Sequence, residues 1–333
     1  MNNSSNLLKR LDIKKENYIE IEPRKIEKVF ISGLTEGYGY LRHIQDIYKT
    51  ISPDYLYPIS DGFLYNKNIF KVPEQQVFDN PILSFWYTWY ILWQNVTNNC
   101  PEFVRFHKGD INKIINLDKK REHKFISLNR NLKTGRDIFI NSLDDNFLKD
   151  NWVSGHFSDR KYLKNDKLIN NQFTHFYNII FNDLNTKGYI QPFFESTGLN
   201  DGFTDKMLMI TEKSCIPFLL GNIAIPMNLF YVSEYEKLGF EFVKDINGVS
   251  INETIEWDLV KYNESFASVW LNELIEKIKY INQNNTLQDI EKIYQDNYEL
   301  ILHNQNLIKK LMTDNSVIDE LKQWIENENN TDY

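Results

Sequence analysis

The sequence predicts a two-domain α/β protein in which two doubly wound sheets face each other across a cleft. Short β-type runs alternate with helical segments, and this alternation is typical of parallel sheets that carry helices on both faces. The chain has 333 residues, of which 42% are hydrophobic and 14% aromatic, so it is large enough to bury two cores. No repeat of fixed period is present, which argues against solenoids and propellers.

The first domain is predicted to span residues 1–120. Residues 27–33 (EKVFISG) and 54–59 (DYLYPI) are β-type runs, and a glycine-containing loop and a helical segment separate them. Residues 82–93 (ILSFWYTWYILW) predict a helix that is apolar nearly all round. Such a helix is typical of an aromatic core, and a stripe that stacks on a ligand is the alternative. The polar stretch 108–123 marks the predicted domain boundary.

The second domain is predicted to span residues 121–256, where the alternation is more regular. Its predicted strands are residues 124–129, 152–157, 189–196, 222–227 and 240–243. Its predicted helices are residues 137–148, 172–184, a short segment from residue 211, and 231–240. The pattern over residues 257–333 is helical, and we expect this helical C-terminal segment to pack on the second sheet or between the domains.

Charge and composition limit the class of protein. The 46 acidic and 38 basic side chains give a net charge of -8, which disfavours binding to phosphate backbones through bulk charge. Since Cys100 and Cys215 are the two cysteines, a four-thiolate zinc site is excluded and a reducing compartment is expected. The amino-terminal segment lacks the apolar core of a signal peptide, and no apolar run reaches the roughly 18 residues of a spanning helix. We therefore expect a cytoplasmic protein without a membrane anchor.

Three loops of the second domain follow predicted strands, where a doubly wound fold binds its ligands. The first loop, SLNRNLKTGR, contains Asn129, Arg130 and Arg136. Backbone N–H groups at a helix start and guanidinium groups both donate hydrogen bonds to anions, so this loop favours an anionic ligand. Because Gly135 is its only glycine, it is not a dinucleotide-binding fingerprint. The alternative is that both arginines are solvated surface charges.

The second and third loops add charged residues. A strongly apolar strand ends at Glu195 in FFESTG, and a lone carboxylate there is costly unless it has a partner. In the third loop, TEKS, Thr211 suits the N-cap of a helix and Glu212 suits the helix N-terminus. Lys213 does not suit that end, and such departures are expected where a site needs the charge. An ordinary surface lysine is the alternative.

The order and spacing of these motifs resemble the nucleotide-sugar half of the α1,3-fucosyltransferase-like glycosyltransferases, and the phage and bacterial relatives of that group look closer still. The motifs are TEKSCIPFLLGNIAIP (211–226) and EYEKLGFEF (234–242), and the resemblance covers residues 124–256. It implies a fold of the GT-B type. It also implies that a sugar passes from a nucleotide-sugar donor to the hydroxyl of a glycan or other acceptor, with inversion at the anomeric carbon.

The resemblance implies a role for each charged residue of the donor site. Arg136 would contact the diphosphate of the donor, while Glu195 and Glu212 would hold the ribose or the sugar. Lys213 would balance the phosphate charge. The other predicted donor-binding residues are Asn129, Arg130 and Thr211.

The leaving diphosphate needs charge stabilisation, which either a metal ion or fixed cations and helix N-termini can supply. The six histidines show no metal-binding spacing. The Asp144-Asp145 pair falls inside a predicted helix, where we interpret it as a solvated face. We therefore predict a metal-independent reaction in which the nucleotide-sugar is a co-substrate and no cofactor is required.

The acceptor hydroxyl needs a base, which in a two-domain transferase is expected from the first domain. The candidates near predicted strand ends are Glu36, which lies between two glycines, Asp61, and His43 just inside the following helix. A turn or cap role is the alternative for each of them.

Two departures from the family pattern leave the sugar open. The loop 198–206 is longer than in that group, and Ile216-Pro217-Phe218 replaces an Ala-rich helix start. One alternative function is a phage-type enzyme that transfers sugar to hydroxylated bases in DNA, in the host cytoplasm, although the net charge disfavours it. The other is a non-catalytic module that kept the nucleotide-sugar fold as a binding scaffold. The nucleotide, the acceptor and the oligomeric state also stay open.

Overall fold

A computed structural model describes residues 29–32, 56–59, 62–64, 117, 120–129, 134–155, 187–195, 207–209, 212–255, 264–313, 316, 319–320 and 323. The chain divides into two compact units. The first consists of residues 1–90, 203–211 and 311–333, and the second of residues 91–202 and 212–310. The boundary at residue 120 stays a prediction, because residues 91–116 lie outside the described residues.

The first unit contains two short pairs of strands among its described residues. The strands β1 (Val29–Ser32) and β2 (Leu56–Ile59) pair in parallel, with Val29 opposite Leu56. Both strands lie within the predicted β-type runs, residues 27–33 and 54–59. A parallel pair requires a crossover connection between its strands. The strand β3 (Gly62–Leu64) pairs antiparallel with β7 (Met207–Met209), and neither strand was predicted from the sequence. The predicted helix over residues 82–93 lies outside the described residues.

The second unit is built on a four-stranded parallel sheet. Its strands are β4 (His123–Asn129), β5 (Trp152–Gly155), β6 (Gly188–Phe193) and β8 (Ile223–Pro226). They lie in the order β5-β4-β6-β8, and every pair is parallel. The predicted α/β class with a parallel sheet is therefore confirmed for this unit.

Helices cover both faces of this sheet. In chain order, the helices among the described residues are α1 (Thr134–Ser142), α2 (Asp145–Asp150), α3 (Glu212–Leu219), α4 (Tyr231–Lys237), α5 (Glu264–Asn284), α6 (Leu287–Asp296) and α7 (Tyr298–Thr313). The helix α5 lies against α1 and α2, and α6 lies against β4 and β6. Helices of the C-terminal region thus pack on the sheet of the second unit.

Two local predictions in this unit were wrong. The helix expected over residues 137–148 is broken into two, because the Asp144 carboxylate accepts a hydrogen bond from the Phe147 backbone N–H over 2.7 Å and starts a new helix there. Asp144 is therefore an N-cap and not part of a solvated helix face. Residues 240–243 are not a strand, and the hairpin of β9 (Asp245–Ile246) and β10 (Val249–Ser250) follows them instead.

The strand β6 is buried along its whole length, and alternate side chains pack on opposite faces of the sheet. Phe194, just beyond its end, packs on Phe139 of α1 with ring centroids 5.7 Å apart. Phe193 packs instead on Phe218 of α3, at 6.3 Å. The helices α1 and α3 therefore lie on opposite faces of the sheet, as the doubly wound arrangement requires.

A buried arginine joins the strands at the amino end of the sheet. Arg121 is 1% exposed and donates to the backbone carbonyl oxygens of Gly188 at 2.6 Å and Gly221 at 2.9 Å. Its guanidinium also lies over the ring of Tyr294 on α6, 4.9 Å from the centroid. Burial lowers the pKa of Arg121 from its ordinary value, and interactions with Tyr294 partly oppose that shift. This residue fixes the end of the sheet that lies away from the predicted site.

Candidate functional site at the carboxyl ends of the strands

The strand order places a switch point between β4 and β6. The chain leaves β4 to form β5 on one side of it, and β6 and β8 follow on the other side. Ligands of open α/β sheets bind in the crevice outside the carboxyl ends of the strands at such a point. Asn129 ends β4, Glu195 lies two residues beyond β6, and Asn228 lies two residues beyond β8. These three residues mark the edge of the candidate site.

Glu195 is a buried carboxylate, with 1% of its surface exposed. Its Oε1 accepts hydrogen bonds from the Ser214 backbone N–H at 3.1 Å and from the Ser214 hydroxyl. Ser214 is the third residue of α3, and the N–H groups of a first helical turn have no partner inside the helix. The carboxylate therefore caps α3 from the neighbouring strand, where the helix dipole favours its negative charge.

Arg136 holds the same end of β6 through the backbone. It lies in the first turn of α1 and is 3% exposed, and its Nη2 donates to the carbonyl oxygens of Phe194 at 3.0 Å and Glu195 at 2.9 Å. Because α1 and α3 lie on opposite faces of the sheet, Arg136 and Ser214 reach Glu195 from opposite faces. The candidate site therefore spans the sheet edge.

Short polar contacts join β4 to β6 and β6 to β8 near this edge. Asn129 Nδ2 donates to the Ser127 hydroxyl at 3.0 Å, and that hydroxyl donates to the Pro192 carbonyl oxygen at 3.1 Å. The Glu195 backbone N–H donates to Asn228 Oδ1 at 2.9 Å. All of these side chains are buried. Side-chain hydrogen bonds thus fix the relative positions of the strand ends that border the site.

Tyr235 of α4 interacts with both Glu195 and Ser214. Burial raises the pKa of its phenol well above 10.0, electrostatic interactions with Cys215 and Glu195 raise it further, and an interaction with the Ser214 hydroxyl lowers it. The phenol therefore stays neutral at physiological pH and is unsuited to the role of a base.

The structure brings together three of the predicted donor-site residues at the strand ends, namely Asn129, Arg136 and Glu195. Lys213 is the second residue of α3 and is half-buried, next to the Ser214 contact. Glu212 begins the same helix. The predicted residues that lie outside the described residues are Glu36, His43, Asp61, Arg130 and Thr211.

Sequence reasoning missed the parts played by Ser214 and Asn228. Each carried a signal: Ser214 is polar within the apolar helix TEKSCIPFLL, and Asn228 directly follows the apolar run that contains β8. Phe230, also buried, adopts a φ of 69°, in the left-handed region that an aromatic residue rarely occupies. Its conformation turns the chain from β8 into α4 beside the site.

The chain shows no match to models of known protein families, to curated proteins or to solved structures. Within the described residues, no three His, Cys, Asp or Glu side chains are grouped as metal ligands. None of the helices in those residues is both long and apolar enough to cross a membrane.

Proposed function

We propose that the protein is a glycosyltransferase of the GT-B type that moves a sugar from a nucleotide-sugar donor to an acceptor hydroxyl. The observation that carries the proposal is the convergence of Arg136, Glu195 and the first turn of α3 at the switch point of a parallel sheet. The motif TEK at residues 211–213 belongs to that turn, in the part of the chain that resembles the donor half of fucosyltransferase-like enzymes. The parallel pair of β1 and β2 supports a second wound sheet in the first unit.

In the proposed reaction, the acceptor oxygen attacks the anomeric carbon and the bond from that carbon to the donor diphosphate breaks. Negative charge develops on the diphosphate, and a cation and helix N–H groups aimed at it stabilise the transition state. Lys213, in the first turn of α3, is the cation that we assign to this role. The carbonyl contacts of Arg136 support a role in placing the strand end and in adding positive potential. The reaction would need no metal ion.

The acceptor proton passes to a base from the first unit in this proposal. Glu36 and Asp61 are the two carboxylates assigned to this step, because a carboxylate within hydrogen-bond reach of the hydroxyl can remove its proton as the new bond forms. Inversion at the anomeric carbon follows from a single direct displacement.

A second candidate function is a non-catalytic binding module, and one observation favours it. Arg136 and Glu195 are both buried and both donate or accept hydrogen bonds within the protein. A scaffold that kept the fold and lost the reaction would retain these structural contacts. In that case the protein binds no nucleotide-sugar, or binds one without transferring it.

The experiment that tests the proposal is thermal unfolding with a panel of nucleoside diphosphates and their sugar conjugates. A ligand at 100 times its dissociation constant stabilises the native state by about 2.7 kcal/mol, so a true ligand raises the Tm clearly. Lys213→Ala should weaken the shift. Lys120→Ala is the matched control, because Lys120 is exposed and precedes β4 at the other end of the sheet. No shift with any member of the panel would contradict the proposal, and a shift without donor hydrolysis or transfer would favour the binding module.

A further inference from the structure

Ser214 makes two contacts with one carboxylate oxygen of Glu195. Its backbone N–H lies 3.1 Å from Oε1, and its hydroxyl donates to the same oxygen. A single N–H contact allows the helix start to pivot about one bond. Two donors from the same residue fix both the position and the orientation of the first turn of α3 relative to β6.

The surroundings make this contact strong. Ser214 is 0% exposed, Glu195 is 1% exposed and Tyr235 is 0% exposed. Away from water, a hydrogen bond to a carboxylate is stronger and is costly to break. The main chain of Glu195 is also held in place, because Arg136 binds its carbonyl oxygen and Asn228 binds its N–H group, on either side of its Cα. The carboxylate is thus a rigid anchor for the helix.

Lys213 directly precedes Ser214 in this turn. We infer that Ser214 is a positioning residue, which acts through Glu195 to hold the first turn of α3, and Lys213 with it, at the carboxyl end of β6. The link to turnover rests on the proposed function, whereas the effect on the helix does not. A displacement of about 1 Å at a distance from the reacting atoms can cost about 100-fold in rate, so a small loosening of this turn is sufficient to impair transfer.

The test compares Ser214→Ala with Ser233→Ala. Ser233 is a suitable control because it is also a buried serine near a helix start, and its hydroxyl lies 2.8 Å from the carbonyl oxygens of Phe230 and Ile255, to either of which it can donate its proton. Amide hydrogen exchange over residues 212–219 and labelling of Lys213 by an amine-reactive reagent are measured without ligand. Ser214→Ala should speed exchange in this segment about 10-fold and change the labelling rate, since one lost hydrogen bond shifts a local opening equilibrium by about that factor. Ser233→Ala should leave both unchanged.

Unchanged exchange and labelling in Ser214→Ala would overturn the inference, whatever the protein binds. If that variant does not fold, Ser214→Cys replaces it, because a thiol has a similar size and is a weak donor.

In a protein that transfers sugar, Ser214→Ala should lower kcat about 100-fold and change donor affinity less. An equal loss of stability in both serine variants with kcat unchanged would reduce Ser214 to a structural residue. A parent protein without nucleotide affinity would refute the proposed function alone, and the exchange result would still decide the inference.

Discussion

Arg136 and Glu195 are joined through the main chain, with Nη2 of the arginine 2.9 Å from the carbonyl oxygen of the glutamate. The carboxylate of the same glutamate accepts hydrogen bonds from Ser214 at the start of α3. Glu195, two residues beyond the end of β6, therefore connects a helix on each face of the sheet. Because both helix starts and the strand end are fixed together, the edge of the candidate site is organised before any ligand binds.

The first prediction concerns the stability that Arg136 provides. Arg136→Met should lower the free energy of unfolding by about 1.5–3 kcal/mol, because it leaves two buried carbonyl oxygens without their donor. Urea unfolding measures this as a lower midpoint. The change should also weaken nucleotide binding, since the strand end beside Lys213 moves.

Arg121→Met is the control for that prediction. Arg121 is a buried arginine with similar carbonyl contacts at the amino end of the sheet. The Arg121→Met variant should lose comparable stability, while its nucleotide affinity, measured well below the midpoint of thermal unfolding, stays unchanged. Equal losses of affinity in both variants would show that the site responds to general destabilisation and not to Arg136.

The second prediction concerns alkaline pH. Since the pKa of Tyr235 is raised in the folded state, its contribution to stability is present below the ordinary value of 10.0 and is lost as pH rises above it, because the unfolded chain releases the proton first. Tyr235→Phe should therefore show a shallower loss of stability with rising pH above 10.

Urea unfolding of the parent and Tyr235→Phe over this pH range is the measurement. Tyr280→Phe serves as the control, because Tyr280 is 55% exposed. Parallel curves for the parent and Tyr235→Phe would contradict a raised pKa at this position.

The third prediction concerns metal ions. If a lysine and helix N–H groups stabilise the leaving diphosphate, sugar transfer should continue in EDTA, and donor should bind without a divalent ion. Donor hydrolysis and acceptor transfer assays with and without chelator measure this. Loss of turnover in EDTA, with recovery on adding magnesium or manganese, would refute the metal-independent mechanism.

Sequence reasoning predicted the elements that hydrophobic runs define. The runs around Phe125, Ile190 and Ile225 form strands of the parallel sheet because each is apolar enough to be buried on both faces. The turn at Asn247-Gly248 was missed although Asn-Gly is a strong hairpin signal, and both residues adopt the positive φ that such a turn needs. The apolar residues before it were assigned to a strand instead.

The contacts within the site could be predicted only in part. An apolar strand ending at Glu195 indicated that the carboxylate needs a partner. The partner lies on α3, and 16 residues separate Glu195 from the start of that helix. Choosing among the polar residues that follow requires the sheet order and the helix position. The two carbonyl contacts of Arg136 are likewise tertiary, since no local pattern distinguishes a buried arginine from an exposed one.

The fourth prediction concerns Lys213→Ala and tests the central claim most directly. The measurement is the rate of sugar transfer by this variant, together with its donor affinity and its stability to unfolding. Because Lys213 is assigned to a charge that grows as the bond breaks, its loss should lower turnover more than affinity. A charged hydrogen bond to such an anion is worth about 3 kcal/mol, so turnover should fall roughly 100-fold while stability stays close to that of the parent. Transfer at the parent rate with unchanged stability would contradict the account, because Lys213 would then be an ordinary surface lysine.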